Sequence, residues 1–356
     1  MAITVPRRQP WYAPPRLLRS ATGLRRYPVI PAAVLLLVMV IPAIFAPLVA
    51  PHDPLDGDMN VRLLPPAWVG EEAVVKTVVA TVDPNNRDNE ISLSDAQRNV
   101  RLGKVRVVGG AEGGEVTTGS QIEVVTKPGG SGKYLLGTDK VGRDILSRII
   151  YGSRVSIVVA GIAILVAGSI GTILGITAGY SGGWTDAIVM RLVDISLSIP
   201  IVLLALVLVI VVGPSFTTII AVLVILLWAH YARMARGETL SVKVRDFVAR
   251  ARVAGASHTR IMIHHIVPNV FNSLIVLATL QLGLVIVVEA TLSFLGAGIP
   301  RPTPAWGLMV ADGRELIISH WWVAFFPGLA IMLVCLSMNL LGDWLRDKLD
   351  PKQRQV

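Results

Sequence analysis

Six stretches of this chain are apolar enough to cross a lipid bilayer. A membrane-spanning α-helix needs about 20 nearly continuous apolar residues, because the hydrocarbon region is about 30 Å thick. Its backbone polar groups must be hydrogen-bonded within the helix, since lipid offers them no partner. The sequence therefore predicts an all-α membrane protein with six transmembrane helices, at residues 29–50, 155–178, 192–212, 216–231, 270–295 and 321–341.

Composition and charge agree with this prediction. Hydrophobic residues make up 53% of the 356 residues, and the formal net charge is +9. The basic residues concentrate in both terminal tails and in the segment 233–269. Basic segments of membrane proteins stay in the cytoplasm, so we expect both termini and the 233–269 segment there. Topology then explains the charge, and no nucleic-acid partner is needed.

The chain is expected to divide at the ends of its apolar stretches. The predicted parts are a cytoplasmic tail (1–28), a first transmembrane helix (29–50), an extracytoplasmic segment (51–153), a five-helix core (154–345) and a cytoplasmic tail (346–356). Within the extracytoplasmic segment, alternating apolar residues separated by Gly and Pro predict a small β-rich insertion at about 68–133. Its predicted strands cover 73–82, 104–108 and 121–125.

An amphipathic helix is predicted where the chain leaves this insertion. Ile145, Ile149 and Ile150 fall on one side of it, which suits a helix lying along the outer membrane interface before the second span. Asp139 and Asp144 could be read as paired catalytic carboxylates, but nothing else in the sequence completes such a site. We therefore expect them to cap the helix and form local ion pairs.

The segment 245–269 is polar, basic and rich in small residues, although it lies between two spans. Its pattern predicts a short helix over 247–254, a turn at Gly255, and a further turn capped by Ser257 or Thr259. Val267 precedes a proline, so that turn should end there, with Pro268 as the first residue of the next span. The small residues permit close approach by another surface, and the arginines favour an acidic partner.

Two other interpretations of this segment were weighed. A DNA-binding helix-turn-helix has similar spacing, but it needs a third helix and a soluble core, for which the flanking spans leave no room. A solvated basic loop that only fixes the topology is the simpler alternative.

The same segment resembles the cytoplasmic loop of permease subunits of ABC importers. Their signature is Glu-Ala-Ala, three residues, Gly, nine residues, then Ile-x-Leu-Pro. This chain has Ala249-Arg250-Ala251, three residues, Gly255, nine residues, then His265-Ile266-Val267-Pro268. The Gly and Pro register is kept, whereas Ala249 and Arg250 replace the Glu and the first Ala. Further motifs before the second span and through the last span resemble the C-type subunits of peptide and nickel importers.

The resemblance implies a type I ABC importer permease fold and a set of partners in the bacterial inner membrane. These are a B-type permease, two ATP-binding subunits that hold the ATP and Mg, and an extracytoplasmic substrate-binding protein. This chain would be a non-enzymatic subunit without a catalytic residue, cofactor or metal of its own. The resemblance also implies that the loop couples to an ATPase, through Asp246, Ala249, Arg250, Ala251, Arg252, Gly255, Ala256, Ser257 and Pro268.

Peptides are the expected substrates, with nickel complexes or other small solutes as alternatives. A carboxylate inside a span usually faces protein or a water-filled path, so Glu289 and Ser293 are candidate path or gate residues. The alternative is that Glu289 makes a structural hydrogen bond between helices. A secondary transporter driven by an ion gradient is the main alternative function, but it would predict several carboxylates within the spans. A membrane enzyme is weaker, because His264 and His265 lack a third metal ligand nearby.

Overall fold

The computed structural model describes residues 28–82, 86, 89–101, 105–109 and 116–349. The tail predicted for 1–28 lies outside the described residues except for Pro28, and so does the C-terminal tail from residue 350 onwards. In chain order the main helices are α1 (Val29–Val49), α2 (Leu93–Arg101), α3 (Ile145–Ser181), α4 (Gly183–Ser198), α5 (Ile201–Val212), α6 (Phe216–Val242), α7 (Asp246–Val253), α8 (His258–Phe294), α9 (Trp306–Gly313) and α10 (Trp322–Leu349).

Five of these helices are long and apolar enough to span a membrane, namely α1, α3, α6, α8 and α10. The pair α4–α5 counts as a sixth span if its two bent parts are taken together. The described chain is thus mostly helical with a small sheet, which confirms the predicted fold class. The last span continues to Leu349, so it extends past residue 345, where the sequence placed the end of the core.

The third span, predicted over 192–212, begins earlier in the structure and is sharply bent. A helix begins at Gly183 directly after α3, and α4 and α5 meet at 89° across Ile199 and Pro200. Proline disfavours helical backbone in the residue before it, and Ile199 is accordingly extended (ψ 129°). Two carboxylates of α4, Asp186 and Asp194, pair with arginines of α6.

The prediction of a separate interfacial helix around residues 145–150 is also wrong. Residues 145–181 form one helix of 37 residues, so the amphipathic turns are the first turns of the second span. The local capping predicted for the two carboxylates is present. Asp144 accepts a hydrogen bond from the backbone N–H of Ser147 at 3.1 Å, and Asp139 pairs with Nε of Arg143 at 2.7 Å.

Helices α3 and α6 pack closely because glycines of α3 face the backbone of α6. A Cβ atom added at Gly171 would lie 2.2 Å from the carbonyl oxygen of Trp228, and one added at Gly175 would lie 2.3 Å from that of Ala232. The ring of Tyr231 lies against Gly168. Small residues allow membrane helices to approach closely and gain van der Waals contact. These glycines of α3 therefore form a packing face for α6.

The insertion forms a four-stranded sheet with one helix. Its strands are β1 (Glu72–Val79), β2 (Glu90–Ser92), β3 (Val105–Gly109) and β4 (Gln121–Lys127), in the order β2-β1-β4-β3. Strands β1 and β2 are parallel, and the other pairs are antiparallel. A small core joins the sheet to α2 through Val78, Ala96, Val116 and Ile122. Three of the strands were predicted, whereas β2 and α2 were not.

Candidate coupling site at the basic loop

The basic loop connects α6 to α8 and contains the short helix α7. Its acidic residue Asp246 lies in the first turn, and Arg250 and Arg252 lie in the last turn. This order suits the helix dipole, which favours negative charge at the N-terminus and positive charge at the C-terminus. This arrangement of charges favours a helix in a polar eight-residue segment.

The end of α7 is a double hydrogen-bonded turn around Gly255. The N–H of Gly255 donates to the carbonyl of Arg252, and the N–H of Ala256 donates to that of Ala251, both at 3.1 Å. This pattern requires a residue in the left-handed region after the helix, and Gly255 has φ +78°. The side-chain oxygen of Ser257 then caps α8 by accepting from the N–H of Arg260 at 3.3 Å. The predicted helix, glycine turn and Ser257 cap are all present.

Helix α7 has one face toward the bundle and one face away from it. Val248 is fully buried (0% exposed) and packs in the main core together with Val242, Ile261 and Ile266. Ala251 and Ala256 are half-buried and pack against the same core. These two predicted coupling residues thus support the loop from beneath. The remaining predicted coupling residues of the loop are exposed, and they are Asp246, Ala249, Arg250, Arg252, Gly255 and Ser257.

Two exposed apolar residues flank this polar face and were missed by the sequence prediction. Val244 is 76% exposed just before α7, and Val253 is 90% exposed at its last position. Both lie in the loop rather than in a span, so lipid does not explain their exposure. Their signal in the sequence is weak, because a β-branched apolar residue within a polar segment also occurs in buried turns.

Polar contacts tie both ends of the loop to the last turns of α3. On one side, Nζ of Lys243 donates to the carbonyl of Gly179 at 2.7 Å. On the other side, the Tyr180 hydroxyl lies 2.9 Å from Nδ1 of His258. Two further contacts join the neighbouring helices: Arg236 of α6 binds Asp186 of α4 through two bonds of 2.6 Å, and Ser273 of α8 donates to Glu238 of α6 at 2.9 Å. A displacement of α7 would therefore be passed to α3, α4 and α8.

Pro268 lies inside a continuous helix, which corrects the prediction that it begins a new span. Helix α8 runs from His258 to Phe294, and its residues Met262–Ile266 have π-helical hydrogen bonding. The wider turn accommodates a residue that has no N–H and whose ring crowds the preceding turn. The carbonyl of His265 instead accepts a bond from the side chain of Asn269 at 2.7 Å. Pro268 is exposed, but it lies on the span rather than on the loop.

The two candidate gate residues lie together near the other end of α8. Glu289 is 2% exposed and Ser293 is 1% exposed. The Ser293 hydroxyl donates to Oε1 of Glu289 at 2.7 Å, across one turn of the same helix. The carboxylate thus faces protein and has a local hydrogen-bond donor. A role in a path or gate stays a prediction.

The family of this chain follows from its sequence relatives. The profile described as "Binding-protein-dependent transport system inner membrane component" matches residues 171–355, just over half of the chain. The di/tripeptide transport system permease protein DppC of Pseudomonas aeruginosa is 35% identical over 322 residues, which cover 90% of this chain and 87% of that protein. The dipeptide permease DppC of Escherichia coli K12 is 44% identical over 227 residues, or 64% of this chain and 76% of that protein.

Among solved structures, an inward-facing form of the MetNI methionine ABC transporter has 17% identity and a TM-score of 0.47. The match covers 57% of this chain and 96% of that one.

The matched profile covers α7, the Gly255 turn and the last two spans, and the Pseudomonas relative aligns along most of the chain. This chain therefore belongs to the family of inner membrane components of binding-protein-dependent transport systems.

Proposed function

We propose that this chain is the C-type permease subunit of an ATP-driven importer of di- and oligopeptides. The peptide substrate is supported by relatives that are named as dipeptide or di/tripeptide permeases, one of which aligns with 90% of this chain. Such an importer pairs this chain with a B-type permease, two ATP-binding subunits and an extracytoplasmic binding protein. Nickel complexes and other small solutes are the alternative cargo.

The observation that carries the coupling role is the two-faced helix α7. Its inner residue Val248 is locked into the bundle, whereas Arg250, Arg252 and Val253 project away from it. A helix anchored on one side and polar on the other suits a shallow groove on a partner subunit, with Val253 as an apolar contact and the arginines beside acidic groups. The partner in this family that must transmit force to the permease is the ATPase.

ATP and Mg would be held by the partner subunits. The glycine-rich residues 129–133 lack the first glycine of a phosphate loop, and Tyr134 follows the lysine. Closure of the two ATP-binding subunits would move α7, and the contacts of Lys243, Tyr180 and Arg236 would pass that movement to the spans. Nucleotide can bias the permease only if docking is stronger in one of its two states.

This proposal places the basic loop and both chain termini in the cytoplasm of a bacterial cell. The loop end of the bundle carries a cluster of cations, namely Arg233, Arg236, Lys243, Arg245, Arg250, Arg252 and Arg260. Basic residues near the ends of spans favour the cytoplasmic side. The sheet of the insertion then lies on the extracytoplasmic face, where the binding protein docks.

A cysteine crosslink tests the coupling role. Cys335 is replaced by Ser, Val253 by Cys, and the chain is co-expressed with its partner subunits, with cysteines placed along the ATPase groove. We expect a crosslink whose yield changes when ATP is added. Ala251→Cys is the matched control, because that residue is on the same helix but packs against the bundle. A stable, inserted complex with no crosslink at any groove position would contradict the docking of α7.

Uptake by the reconstituted complex tests the substrate. We expect ATP-dependent accumulation of a labelled dipeptide in proteoliposomes, competed by other dipeptides and unaffected by nickel. Uptake of nickel but not of dipeptide would overturn the peptide assignment. Uptake driven by an ion gradient without ATP would overturn the importer mechanism and make Glu289 the residue to test.

A further inference from the structure

A mixed-charge cleft opens at the loop end of the bundle, between α4, α6 and α8. Its volume is about 640 Å³, which is in the range of small-molecule sites. Leu197 of α4 and Leu277 of α8 form its two sides. Its floor is one stripe of α6, with residues at the three- and four-residue spacing of a helix face: His230, Arg233, Met234, Gly237, Glu238 and Ser241.

The cleft lies at the inner edge of the membrane rather than in the loop. Helix α6 starts at Phe216, and about 20 residues bring it across the hydrocarbon. Arg233 is therefore close to the boundary, and Glu238 lies just beyond it. Charged side chains at this depth usually face protein or a water-filled cavity, so this stripe suits a path for a polar solute better than a lipid surface.

The charged side chains of the cleft have further hydrogen-bonding groups with which to bind a ligand. Arg233 is exposed and uses Nη2 to bind Asp194 at 2.7 Å, which leaves the other donors of its guanidinium. Glu238 accepts a bond from Ser273 on Oε1, and a carboxylate has a second acceptor oxygen. Among the described residues, Nδ1 of His230 is buried without a hydrogen-bond partner.

The spacing of the two charges fits a short peptide. Arg233 and Glu238 are five residues apart on α6, which is about 7.5 Å along the helix axis and about 140° around it, so they lie at opposite edges of the stripe. An extended dipeptide is about 7 Å long at up to 3.6 Å per residue. Between the two charges, a Cβ added at Gly237 would meet nothing within 4 Å, so the floor is open where the peptide backbone would lie.

We propose that this cleft is a subsite for a zwitterionic dipeptide on its way out of the importer, where Arg233 binds the peptide carboxylate and Glu238 binds the peptide ammonium. The inference rests on the proposed function, because it concerns the site at which an imported peptide is bound on the cytoplasmic side before release. It also predicts that this chain binds both free termini of the peptide, independently of the binding protein.

Protection of a single cysteine tests the subsite. Ser241→Cys is introduced with Cys335→Ser, and the assembled, nucleotide-free complex is labelled with a maleimide in inside-out membranes. We expect alanyl-alanine to slow the labelling. N-acetylated or C-amidated alanyl-alanine should need about tenfold higher concentration, since each lacks one charge-assisted hydrogen bond. Ser181→Cys, an exposed residue at the same end of the bundle but outside the cleft, should not be protected.

Charge-neutral variants assign each terminus. Arg233→Gln should weaken protection by alanyl-alanine about tenfold, with no further loss for the C-amidated peptide. Glu238→Gln should likewise weaken protection by alanyl-alanine about tenfold, with no further loss for the N-acetylated peptide. Asp194→Asn is the matched control, because it breaks the same ion pair as Arg233→Gln but keeps the guanidinium, and it should retain protection.

The outcomes separate the subsite from the substrate assignment. If the complex imports dipeptide but blocked and free peptides protect equally, or neither protects, the subsite is overturned and the proposed function stands. If the complex imports no dipeptide at all, the peptide assignment is overturned and the subsite with it.

Discussion

The phenol of Tyr180 lies 2.9 Å from Nδ1 of His258, so the last turn of the second span is hydrogen-bonded to the first residue of the fifth. The two rings also meet edge to face, with centroids 5.7 Å apart. His258 follows directly after the Ser257 cap of α8, close to the Gly255 turn. The contact therefore holds the C-terminal end of the basic loop against α3, which is neither of the two helices that the loop connects.

We expect Tyr180→Phe to weaken coupling without unfolding the protein. The substitution keeps the ring contact and removes one partly exposed hydrogen bond, which contributes about 0.5–1.5 kcal/mol. Fewer peptides should then be imported for each ATP hydrolysed by the complex. The ratio of uptake to hydrolysis in proteoliposomes measures this, with the neighbouring Ser181→Ala as control. An unchanged ratio would mean that movement of the loop reaches the spans by other contacts.

Substitutions at Gly255 should separate backbone conformation from side-chain size. Its φ of +78° is in the left-handed region, and an added Cβ would meet nothing within 4 Å. A β-branched residue is strained there by about 1–2 kcal/mol, whereas Asn tolerates this region. We expect Gly255→Val to insert normally and lose ATP-coupled uptake, and Gly255→Asn to keep most of it. Equal uptake by the two variants would argue against a role for the turn.

Gly171 should be far less tolerant of substitution than Gly161, although both lie in α3. A Cβ at Gly171 would lie 2.2 Å from the Trp228 carbonyl, while one at Gly161 would meet nothing within 4 Å. We expect Gly171→Val to destabilise the bundle by about 1–3 kcal/mol through overpacking, and Gly161→Val to have little effect. Thermal unfolding of the detergent-solubilised complex compares them. Similar unfolding temperatures would mean that α3 and α6 can move apart freely.

Substitutions at Glu289 and Ser293 distinguish a structural hydrogen bond from a gate. Ser293→Ala leaves a buried carboxylate without its donor, which should destabilise the protein by about 1–3 kcal/mol. Glu289→Gln keeps an oxygen that can accept the same bond and removes only the charge. If the pair is structural, we expect Glu289→Gln to retain uptake within about twofold. Abolished uptake in a stable Glu289→Gln complex would instead support a path or gate role.

Local signals in the sequence predicted the backbone structure of the basic loop well. The bounds of α7, the turn at Gly255 and the cap at Ser257 depend on residues within a few positions, and all three are present. The direction in which each residue faces was not predictable in the same way. Ala251 and Ala249 are chemically identical, and only the position of the bundle makes the first half-buried and the second exposed.

Features that depend on distant partners were missed. The residues before 192 were expected to connect two spans, but those from Gly183 onwards are helical, and Arg236 of another helix pairs with their carboxylate Asp186. Pro268 looked like a helix start, because the sequence gives no sign that a π-helical turn precedes it. Strand β2 has three residues and pairs in parallel with β1, so its short pattern does not distinguish it from a turn.

The first and last strands of the insertion, β1 and β4, are direct neighbours, and Glu72 pairs with Lys127 where they begin and end. The chain therefore leaves and rejoins the permease at nearly the same point. A module attached in this way can be lengthened, exchanged or lost in evolution without changing the distance between the two spans beside it. The membrane bundle and the inserted sheet can thus diversify separately.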